Sequence, residues 1–286
     1  MIRLPPRSTL DRSSAASDVY KRQATNTYAT YLMPYPIASI KSNVLEFSKY
    51  KENLEIEIFK HPQEFISAFL SKSPKLVGFS NYVWNLELSY EIAKEIKSRS
   101  PETVIVFGGP NFPLDDKSRE LWLRAHPSVD LYIIGEAEEP FTDIVDIWYE
   151  TQSIEKVKDS GVMGCYSIKD DKFCKAGDFS PRVSRLDDIP SPYLEGYLDE
   201  FLAEPKLSPL LESNRGCPFS CTFCVDGIKD RSKVYSKEVS RFEKELDRSA
   251  RFDPHLGLIF LDIDKFKSVN DNYGQFTWRL CAARSQ

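Results

Sequence analysis

Between Tyr28 and Tyr149 the sequence alternates between short strand-like runs and longer stretches in which apolar residues recur at helical spacing. The strand-like runs lie at residues 54–58, 75–83, 103–107 and 130–134. Helical positions stand before, between and after these runs, at Ile37, Ile40, Val44, Phe47, Phe65, Ile66, Phe69, Leu70, Leu88, Ile92, Ile96, Leu121, Trp122, Ala125, Phe141, Ile144, Val145 and Trp148. Strands that alternate with helices over this length predict an α/β fold built on a doubly wound parallel sheet.

The composition excludes several classes of protein. The chain has 286 residues, enough for about two domains. Its net charge of −5 gives no reason to expect a nucleic acid or an anionic membrane surface as partner. No stretch approaches the roughly 18 apolar residues that cross a bilayer. Six cysteines favour a reducing cytoplasm, and we expect Cys165, Cys174 and Cys281, which are scattered, to be plain thiols.

Three further cysteines, Cys217, Cys221 and Cys224, stand at CxxxCxxC spacing. Thiolates this close can bind one inorganic centre together, and soft sulfur ligands favour an iron–sulfur cluster, zinc or copper(I). A structural zinc site normally has four protein ligands, but no further Cys or His follows closely. A cubane cluster on three thiolates would keep one iron open for a substrate. A disulfide with a spare thiol and an incomplete zinc site are the alternatives.

The motif and its flanks resemble the radical S-adenosylmethionine (SAM) family. The shared flanking residues are Arg215-Gly216, Pro218 and the aromatic Phe223. The resemblance implies a 4Fe–4S cluster on the three cysteines, with SAM at the open iron and Phe223 in the cofactor site. It also implies cleavage of SAM to a 5′-deoxyadenosyl radical. The expected partners are an electron donor such as flavodoxin or ferredoxin and a small-molecule or otherwise unknown substrate.

Three of the predicted strands end in unusual residues, namely Ser80-Asn81-Tyr82, Gly108-Gly109-Pro110 and Gly135-Glu136-Ala137-Glu138. Ligands of doubly wound sheets bind beyond the carboxyl ends of the strands, and paired glycines let backbone approach a bulky ligand. Together with the cysteine motif, these segments resemble the cobalamin-binding domain of cobalamin-dependent radical SAM proteins, from roughly residue 28 to residue 250.

The resemblance implies a cofactor site at these strand ends. Ser80 and Tyr82 would line the corrin edge, and Gly108-Gly109 would face its nucleotide tail or ring. The remaining expected contacts are Asn81, Pro110, Gly135 and Glu136. The DxHxxG motif that supplies a cobalt-ligating histidine in one branch of the family is absent, and we expect His61 and His126 at the surface. Cobalamin is therefore implied by the resemblance and not by a ligand in the sequence.

The chain divides into five expected segments. Residues 1–27 form a non-native or disordered tail, in which residues 18–23 resemble a translated sequencing adapter. Residues 28–150 form a Rossmann-like domain of the cobalamin-binding type. Residues 151–205 contain a hairpin, at 162–168 and 172–175, and a proline-containing linker at 186–193. Residues 206–250 begin a radical SAM partial TIM barrel, with a strand at 210–214 and a helix marked by Val239, Phe242 and Leu246.

The final segment, residues 251–286, changes character. Only 62 residues follow Cys224 (286 minus 224), whereas a full barrel takes about 250 residues, so we expect a truncated barrel. Leu258–Gly274 instead resembles the first metal-binding strand and helix of GGDEF diguanylate cyclases. That resemblance implies magnesium on Asp262 and the Ile263 carbonyl, and a guanine contact at Asn270. The GGDEF signature loop is missing, and the alternative is a βα unit with a solvated acidic end.

The sequence thus predicts the front part of a cobalamin-type radical SAM enzyme. Its parent would transfer a methyl group or catalyse a radical rearrangement. A junction near residues 250–254 would make the chain chimeric. Because its barrel is truncated, we expect the chain to be inactive. A diguanylate cyclase fragment and a non-catalytic cobalamin- or cluster-binding module are the alternative functions.

Overall fold

The computed structural model describes residues 31–219 and 228–252. At its centre is a five-stranded sheet in the order β1-β2-β3-β4-β5. The strands are β1 (Leu76–Ser80), β2 (Val104–Gly108), β3 (Leu131–Ile133), β4 (Cys165–Lys169) and β5 (Lys172–Lys175). The first three are parallel, with Leu76 opposite Val104 and Val106 opposite Leu131. β4 pairs antiparallel with β3, and β5 antiparallel with β4.

Eight α-helices surround this sheet or follow it along the described chain. They are α1 (Tyr35–Phe47), α2 (Pro62–Lys72), α3 (Leu86–Arg99), α4 (Asp116–Ala125), α5 (Glu138–Thr151), α6 (Ile154–Lys158), α7 (Asp199–Leu202) and α8 (Val239–Phe252). Proline at the first or second position favours the start of α1 and of α2, because those positions have no helical partner for an N–H group. At the start of α4, the Asp115 side chain accepts a hydrogen bond from the Ser118 amide at 2.9 Å.

Both faces of β2 are buried, which explains its continuous apolar sequence. Ile105 and Phe107 belong to a core cluster that includes side chains of α2, α3 and α4. Val104 and Val106 belong to a second cluster, which contains residues of α5. α1 packs beside α5 through polar contacts, since Asn43 Nδ2 donates to Thr142 Oγ1 at 2.9 Å. Helices therefore cover both faces of the parallel strands, as the alternation of the sequence predicts.

The structure differs from the sequence prediction at residues 54–58. This segment alternates between outward and inward side chains, but it forms no strand and pairs with none of the described strands. The alternation was therefore an insufficient basis for a strand, because a strand also requires a neighbouring backbone to bond with.

The hairpin prediction is confirmed, but the hairpin is part of the main sheet, since β4 lies beside β3. The strand predicted at 210–214 is wrong in extent. The two-residue strand β6 (Asn214–Arg215) pairs antiparallel with β7 (Tyr235–Ser236), and residues 210–213 are irregular. The helix that Val239, Phe242 and Leu246 predict is α8. The described residues after β5 contain no strand besides β6 and β7.

The predicted linker at 186–193 packs against the rest of the protein and is not a solvent-exposed extended segment. Leu186 and Tyr193 are fully buried, and the Tyr193 hydroxyl donates to the Leu210 carbonyl at 2.9 Å. α8 is fixed to this region by a buried ionic group that we call the inner network, formed by Lys237, Glu245, Arg241 and Ser191. Glu245 accepts hydrogen bonds from Lys237 Nζ at 3.0 Å, from Arg241 Nε at 3.2 Å and from Ser191 Oγ at 2.6 Å.

None of the helices within the described residues is long and apolar enough to span a membrane.

Candidate functional site

The loop after β1 is fixed by the fully buried Asn81. Its backbone amide donates to the Gly108 carbonyl at 2.6 Å, and its Nδ2 donates to the Asn111 carbonyl at 2.8 Å and to Tyr132 Oη at 3.0 Å. All of these partners belong to β2, β3 or the loop between β2 and α4. Asn81 was predicted to contact a cofactor, whereas the structure shows its side chain engaged in holding two strand-end loops together.

Contacts within the protein also explain why residue 109 is a glycine. Its φ of +123° lies in the left-handed region, and a Cβ atom there would lie 2.6 Å from the Asn81 carbonyl oxygen. The sequence reasoning attributed the paired glycines to a ligand. The structure shows that the close approach of two loops already requires Gly109, while Gly108 has its nearest neighbour, the Ile133 carbonyl oxygen, at 3.6 Å from such a Cβ.

Aromatic side chains after β1 reach the surface. Tyr82 stacks on Trp84 with ring centroids 4.6 Å apart and planes 8° from parallel. Asn85 closes the turn, because it accepts from the Tyr82 amide at 2.7 Å and donates to the Ser80 carbonyl at 2.8 Å. Burial raises the pKa of Tyr82 above its usual value. Trp84 was not predicted as a site residue, although its place beside Tyr82 in the sequence could have suggested it.

The loop after β3 ends in two glutamates that bind one arginine. We call this group the outer network, formed by Arg215, Glu136, Glu138 and Glu212. Arg215 donates to Glu136 Oε2 at 3.2 Å, to Glu138 Oε1 at 2.8 Å and to Glu212 Oε1 at 2.8 Å. Burial alone would lower the pKa of Arg215, but contacts with Glu212 and Glu138 outweigh it and raise that pKa above its usual value.

Arg182 extends the outer network. Its Nε donates to Glu136 Oε1 at 3.0 Å, its Nη2 donates to the Arg215 carbonyl at 3.1 Å, and its guanidinium lies 4.7 Å from the centre of the Tyr235 ring. Sequence reasoning missed Arg182, since nothing around it in the sequence forms a motif. It missed the pairing of Arg215 with Glu138 for a different reason, because 77 residues separate them.

The first cysteine of the CxxxCxxC motif follows directly from this network. Gly216 has a φ of +108°, and a Cβ there would overlap the Lys233 carbonyl oxygen. The Cys217 amide then donates to the Arg231 carbonyl at 3.0 Å, and Cys217 itself is half-buried. The structure therefore places Cys217 next to the strand-end loops after β3.

The other predicted site residues of this region, Cys221, Phe223 and Cys224, lie outside the described residues, as do Asp262, Ile263 and Asn270. Within residues 31–219 and 228–252, no group of three acidic, His or Cys side chains could hold a metal ion. The three glutamates of the outer network accept hydrogen bonds from Arg215 instead.

A cleft of about 2170 Å³ lies along the carboxyl ends of the parallel strands. Typical small-molecule sites occupy about 300–1000 Å³, so this cleft is large enough for a corrin-sized ligand. Its lining at the strand ends includes Tyr82, Trp84, Gly109, Pro110, Glu136 and Arg215. Apolar and aromatic walls with a few polar groups suit cobalamin, and the soft donor set of the cysteine motif suits an iron–sulfur cluster.

The two histidines considered in the sequence are partly buried and already have partners. His61 lines the cleft, and its Nε2 lies 3.1 Å from Glu204 Oε2. His126 stacks on Trp122 with centroids 4.0 Å apart, and its Nδ1 lies 2.7 Å from the Trp122 carbonyl oxygen.

Residues 37–145 match the family model of the B12-binding domain. The cobalamin-dependent radical SAM methyltransferase TokK of Streptomyces tokunonensis is 33% identical over 185 residues, which cover 63% of this chain and 26% of TokK. The 2-(S-pantetheinyl)-carbapenam-3-carboxylate methyltransferase of Streptantibioticus cattleyicolor is 31% identical over 189 residues, with the same coverage. This chain thus spans about a quarter of the length of each of these relatives.

A solved structure shares the fold. The apo form of the cobalamin-dependent S-adenosylmethionine radical enzyme OxsB superposes with a TM-score of 0.55 at 19% identity, covering 77% of this chain and 29% of OxsB. The predicted cobalamin-binding type of the sheet domain agrees with the family-model match over residues 37–145, and OxsB shows likeness of fold alone. Residues 37–145 therefore match a B12-binding domain, and the chain is similar in sequence to part of one cobalamin-dependent radical SAM methyltransferase and to part of a second methyltransferase.

Proposed function

We propose that this chain binds cobalamin at the strand-end cleft and a 4Fe–4S cluster at its cysteine motif, as part of a radical SAM methyltransferase. The observation that carries the proposal is the outer network. Arg215, which stands two positions before Cys217, is bonded to the carboxylates of Glu136 and Glu138 after β3. These carboxylates lie at the edge of the sheet where ligands of doubly wound folds bind. Cys217, the first cysteine of the motif, therefore follows directly on Arg215 and Gly216, which line the cleft.

Each cofactor has its own set of residues under this proposal. Tyr82 and Trp84 offer an aromatic surface to the corrin. Gly108 and Pro110, at the end of β2, line the cleft opposite them. Cys217, Cys221 and Cys224 hold the cluster, with SAM at its open iron. When bound, the cluster supplies an electron to SAM and cobalamin supplies a methyl group. An electron donor such as flavodoxin or ferredoxin would reduce the cluster.

Within this scheme the protein residues hold the two sites in a fixed relation. Arg215 is bonded to three carboxylates and Arg182 to the Arg215 carbonyl, so the backbone that leads into Cys217 cannot shift without breaking charged hydrogen bonds. Gly216 allows this backbone to turn between Arg231 and Lys233. These residues position the cluster loop and do not take part in the chemistry themselves.

Cobalamin binding is tested by titrating the full chain with hydroxocobalamin and following the visible spectrum. We expect saturable binding, weakened about tenfold in Trp84→Ala, since a lost aromatic contact of this size costs about 1.4 kcal/mol. Leu121→Ala is the matched control, because Leu121 is 60% exposed on α4 and does not line the cleft. Absence of saturable binding in the unaltered chain would overturn the cobalamin assignment.

Cluster binding is tested by anaerobic reconstitution with iron and sulfide. We expect a broad near-ultraviolet to visible absorption that Cys217→Ala, Cys221→Ala and Cys224→Ala each abolish, because three thiolates are the minimum set. Cys174→Ala, which removes a partly exposed thiol of β5, should leave the spectrum unchanged. Equal damage from Cys174→Ala would show that the cluster ligands are misassigned.

A further inference from the structure

Ser180 lines the strand-end cleft from the loop that follows β5. Its side-chain oxygen is buried and has no hydrogen-bond partner among the described residues. We infer that the Ser180 hydroxyl contacts the ligand of this cleft and bonds to an uncharged carboxamide on the rim of the corrin. The inference rests on the proposed binding of cobalamin, and Ser180 lies outside residues 37–145, which match the B12-binding family model.

The first support is the unpartnered hydroxyl itself. Ser180 is 4% exposed, and a hydroxyl that is buried without a hydrogen bond destabilises the protein. In the described part of the chain, buried side-chain oxygens of Asp187 and Ser249 also have no partner, but neither residue lines the cleft. The buried hydroxyl of Ser167, by contrast, donates to the Lys158 carbonyl at 2.6 Å. Ser180 is therefore the unpartnered residue at a place where a ligand can supply the partner.

The second support is the pair of glycines that make room for Ser180. Gly135, after β3, has a φ of +99°, and a Cβ there would lie 2.5 Å from Ser180 Oγ. A Cβ at Gly164 would overlap the backbone of Ser180. Gly135 also lines the cleft, and it has no side chain that could cover the hydroxyl. Because a serine side chain has several staggered positions, the hydroxyl can turn toward an acceptor in the cleft.

The third support is that the loop carrying Ser180 is fixed on both sides. Ser180 N donates to the Ile134 carbonyl at 3.0 Å, which attaches the loop to the end of β3. Tyr166 Oη donates to the Asp178 carbonyl at 2.9 Å and accepts from Arg119 Nη1 at 2.7 Å. A hydroxyl on a fixed loop contacts a ligand without the entropic cost of ordering that loop.

The charged residues beside the loop determine which chemical group Ser180 can bond. Arg182 Nε donates to Glu136 at 3.0 Å. The Nη1 and Nη2 atoms of Arg182 donate to the carbonyls of Lys233 and Arg215. Glu136 also accepts from Arg215 Nη1 at 3.2 Å. Both charged groups are thus already engaged, which favours an uncharged partner for Ser180 over a phosphate or a carboxylate. The corrin rim carries carboxamides, which both donate and accept hydrogen bonds.

The test is a titration of the full chain with hydroxocobalamin, followed by the visible spectrum. We expect Ser180→Ala to raise the dissociation constant about three- to tenfold, which is the effect of losing one neutral hydrogen bond. Ser167→Ala is the matched control, because it removes a buried serine hydroxyl that is bonded within the protein and does not line the cleft. It should leave the dissociation constant unchanged.

Urea unfolding without ligand separates a ligand contact from a structural role. Ser180→Ala removes a hydroxyl that has no partner among the described residues, so we expect its urea midpoint to equal or exceed that of the unaltered chain. Ser167→Ala breaks the bond to the Lys158 carbonyl and should lower the midpoint. An equal decrease in Ser180→Ala would show that the Ser180 hydroxyl acts on the fold, and the inference would be wrong.

Cobinamide, which keeps the corrin carboxamides and lacks the nucleotide, identifies the bonded group. We expect Ser180→Ala to weaken the binding of cobinamide and of hydroxocobalamin by the same factor. Weaker binding of hydroxocobalamin alone would place the contact on the nucleotide and overturn the carboxamide assignment. Unchanged binding of both ligands would overturn the inference and leave the cobalamin assignment intact. Absence of saturable binding in the unaltered chain would overturn both.

Discussion

The outer and inner networks both bury charged side chains, but only the outer one borders the cleft. The Arg215 side chain is 18% exposed and lines the cleft, whereas the side chains of Lys237 and Glu245 are 2% and 0% exposed and do not. Tyr35 connects the two, because its hydroxyl accepts from Lys237 Nζ at 2.9 Å and donates to Glu212 at 3.4 Å. Buried charge alone therefore does not mark a functional site.

The difference has a physical basis. A buried ion pair gains attraction in the protein interior but loses hydration, so its net contribution to stability is small even when breaking it is costly. The inner network fixes α8 against the loop at Ser191 and Leu186. The outer network fixes the backbone before Cys217 against the loop after β3. We expect substitutions in the inner network to act on stability and those in the outer network to act on cofactor binding as well.

The largest expected effect is in the inner network. Glu245→Gln should lower the free energy of unfolding by about 3–5 kcal/mol, because Lys237 is then a buried cation without its anion. Urea unfolding followed by tryptophan fluorescence measures it. The double variant Lys237→Met/Glu245→Met should lose less unfolding free energy than the summed losses of Lys237→Met and Glu245→Met. Arg248→Ala, which removes a partly exposed pair with Asp199, should cost less than about 1 kcal/mol, and an equal cost would contradict the comparison.

Gly216→Ala should lower the free energy of unfolding by about 1–3 kcal/mol for its positive φ alone, and further because the added Cβ overlaps the Lys233 carbonyl oxygen. Gly161 offers a matched control, since its φ is +68° and a Cβ there would meet nothing within 4 Å. The excess cost in Gly216→Ala over Gly161→Ala measures the overlap together with the less accessible φ of Gly216. We also expect weaker cluster incorporation in Gly216→Ala. Equal costs in the two variants would indicate that the loop before Cys217 is not fixed.

Arg215→Met should lower the free energy of unfolding by about 1.5–3 kcal/mol, because charged hydrogen bonds to Glu138 and Glu212 are lost. Arg215→Lys keeps the charge but not the forked geometry, so it should restore part of the stability and little of the cluster absorption. The readout is the ratio of absorption after reconstitution to folded protein. Full cluster incorporation in Arg215→Met would mean that the outer network is structural only.

The smallest expected effect is on alkaline stability. Burial first, and then the charges of Glu212 and Glu245, raise the pKa of Tyr35 above its usual value. The folded state therefore retains a proton that the unfolded state loses above about pH 10. Stability from this group is complete below that pH and decreases as the pH rises. Burial also lowers the pKa of Lys237, and this contribution increases with pH and partly opposes the first.

Tyr35→Phe isolates the tyrosine contribution, because Lys237 and Glu245 remain. We expect the free energy of unfolding of Tyr35→Phe to decrease less steeply between pH 9 and pH 11 than that of the unaltered chain. Urea unfolding at fixed pH steps measures the slope. Identical slopes in the two proteins would show that the Tyr35 hydroxyl does not link the networks.

Local sequence determined most of the secondary structure of the described residues. Helical spacing predicted α1, α2, α3, α4, α5 and α8, and the apolar runs predicted β1, β2 and β3 within a few residues. These features follow from periodicities of 3.6 and 2 residues, which are present in any short window of sequence. The cysteine motif was equally visible, because its three thiols lie within eight residues.

Only the tertiary structure decided which distant groups meet. Residues 54–58 alternate like a strand, but whether a strand forms depends on a neighbouring backbone that the alternation cannot specify. Asn81 and Gly109 looked like ligand contacts, yet the packing of two loops accounts for both. Arg215 pairs with Glu138 across 77 residues because the fold brings the end of β3 beside β6. Charge pairing and loop contact depend on distances in space, and the sequence records only distances along the chain.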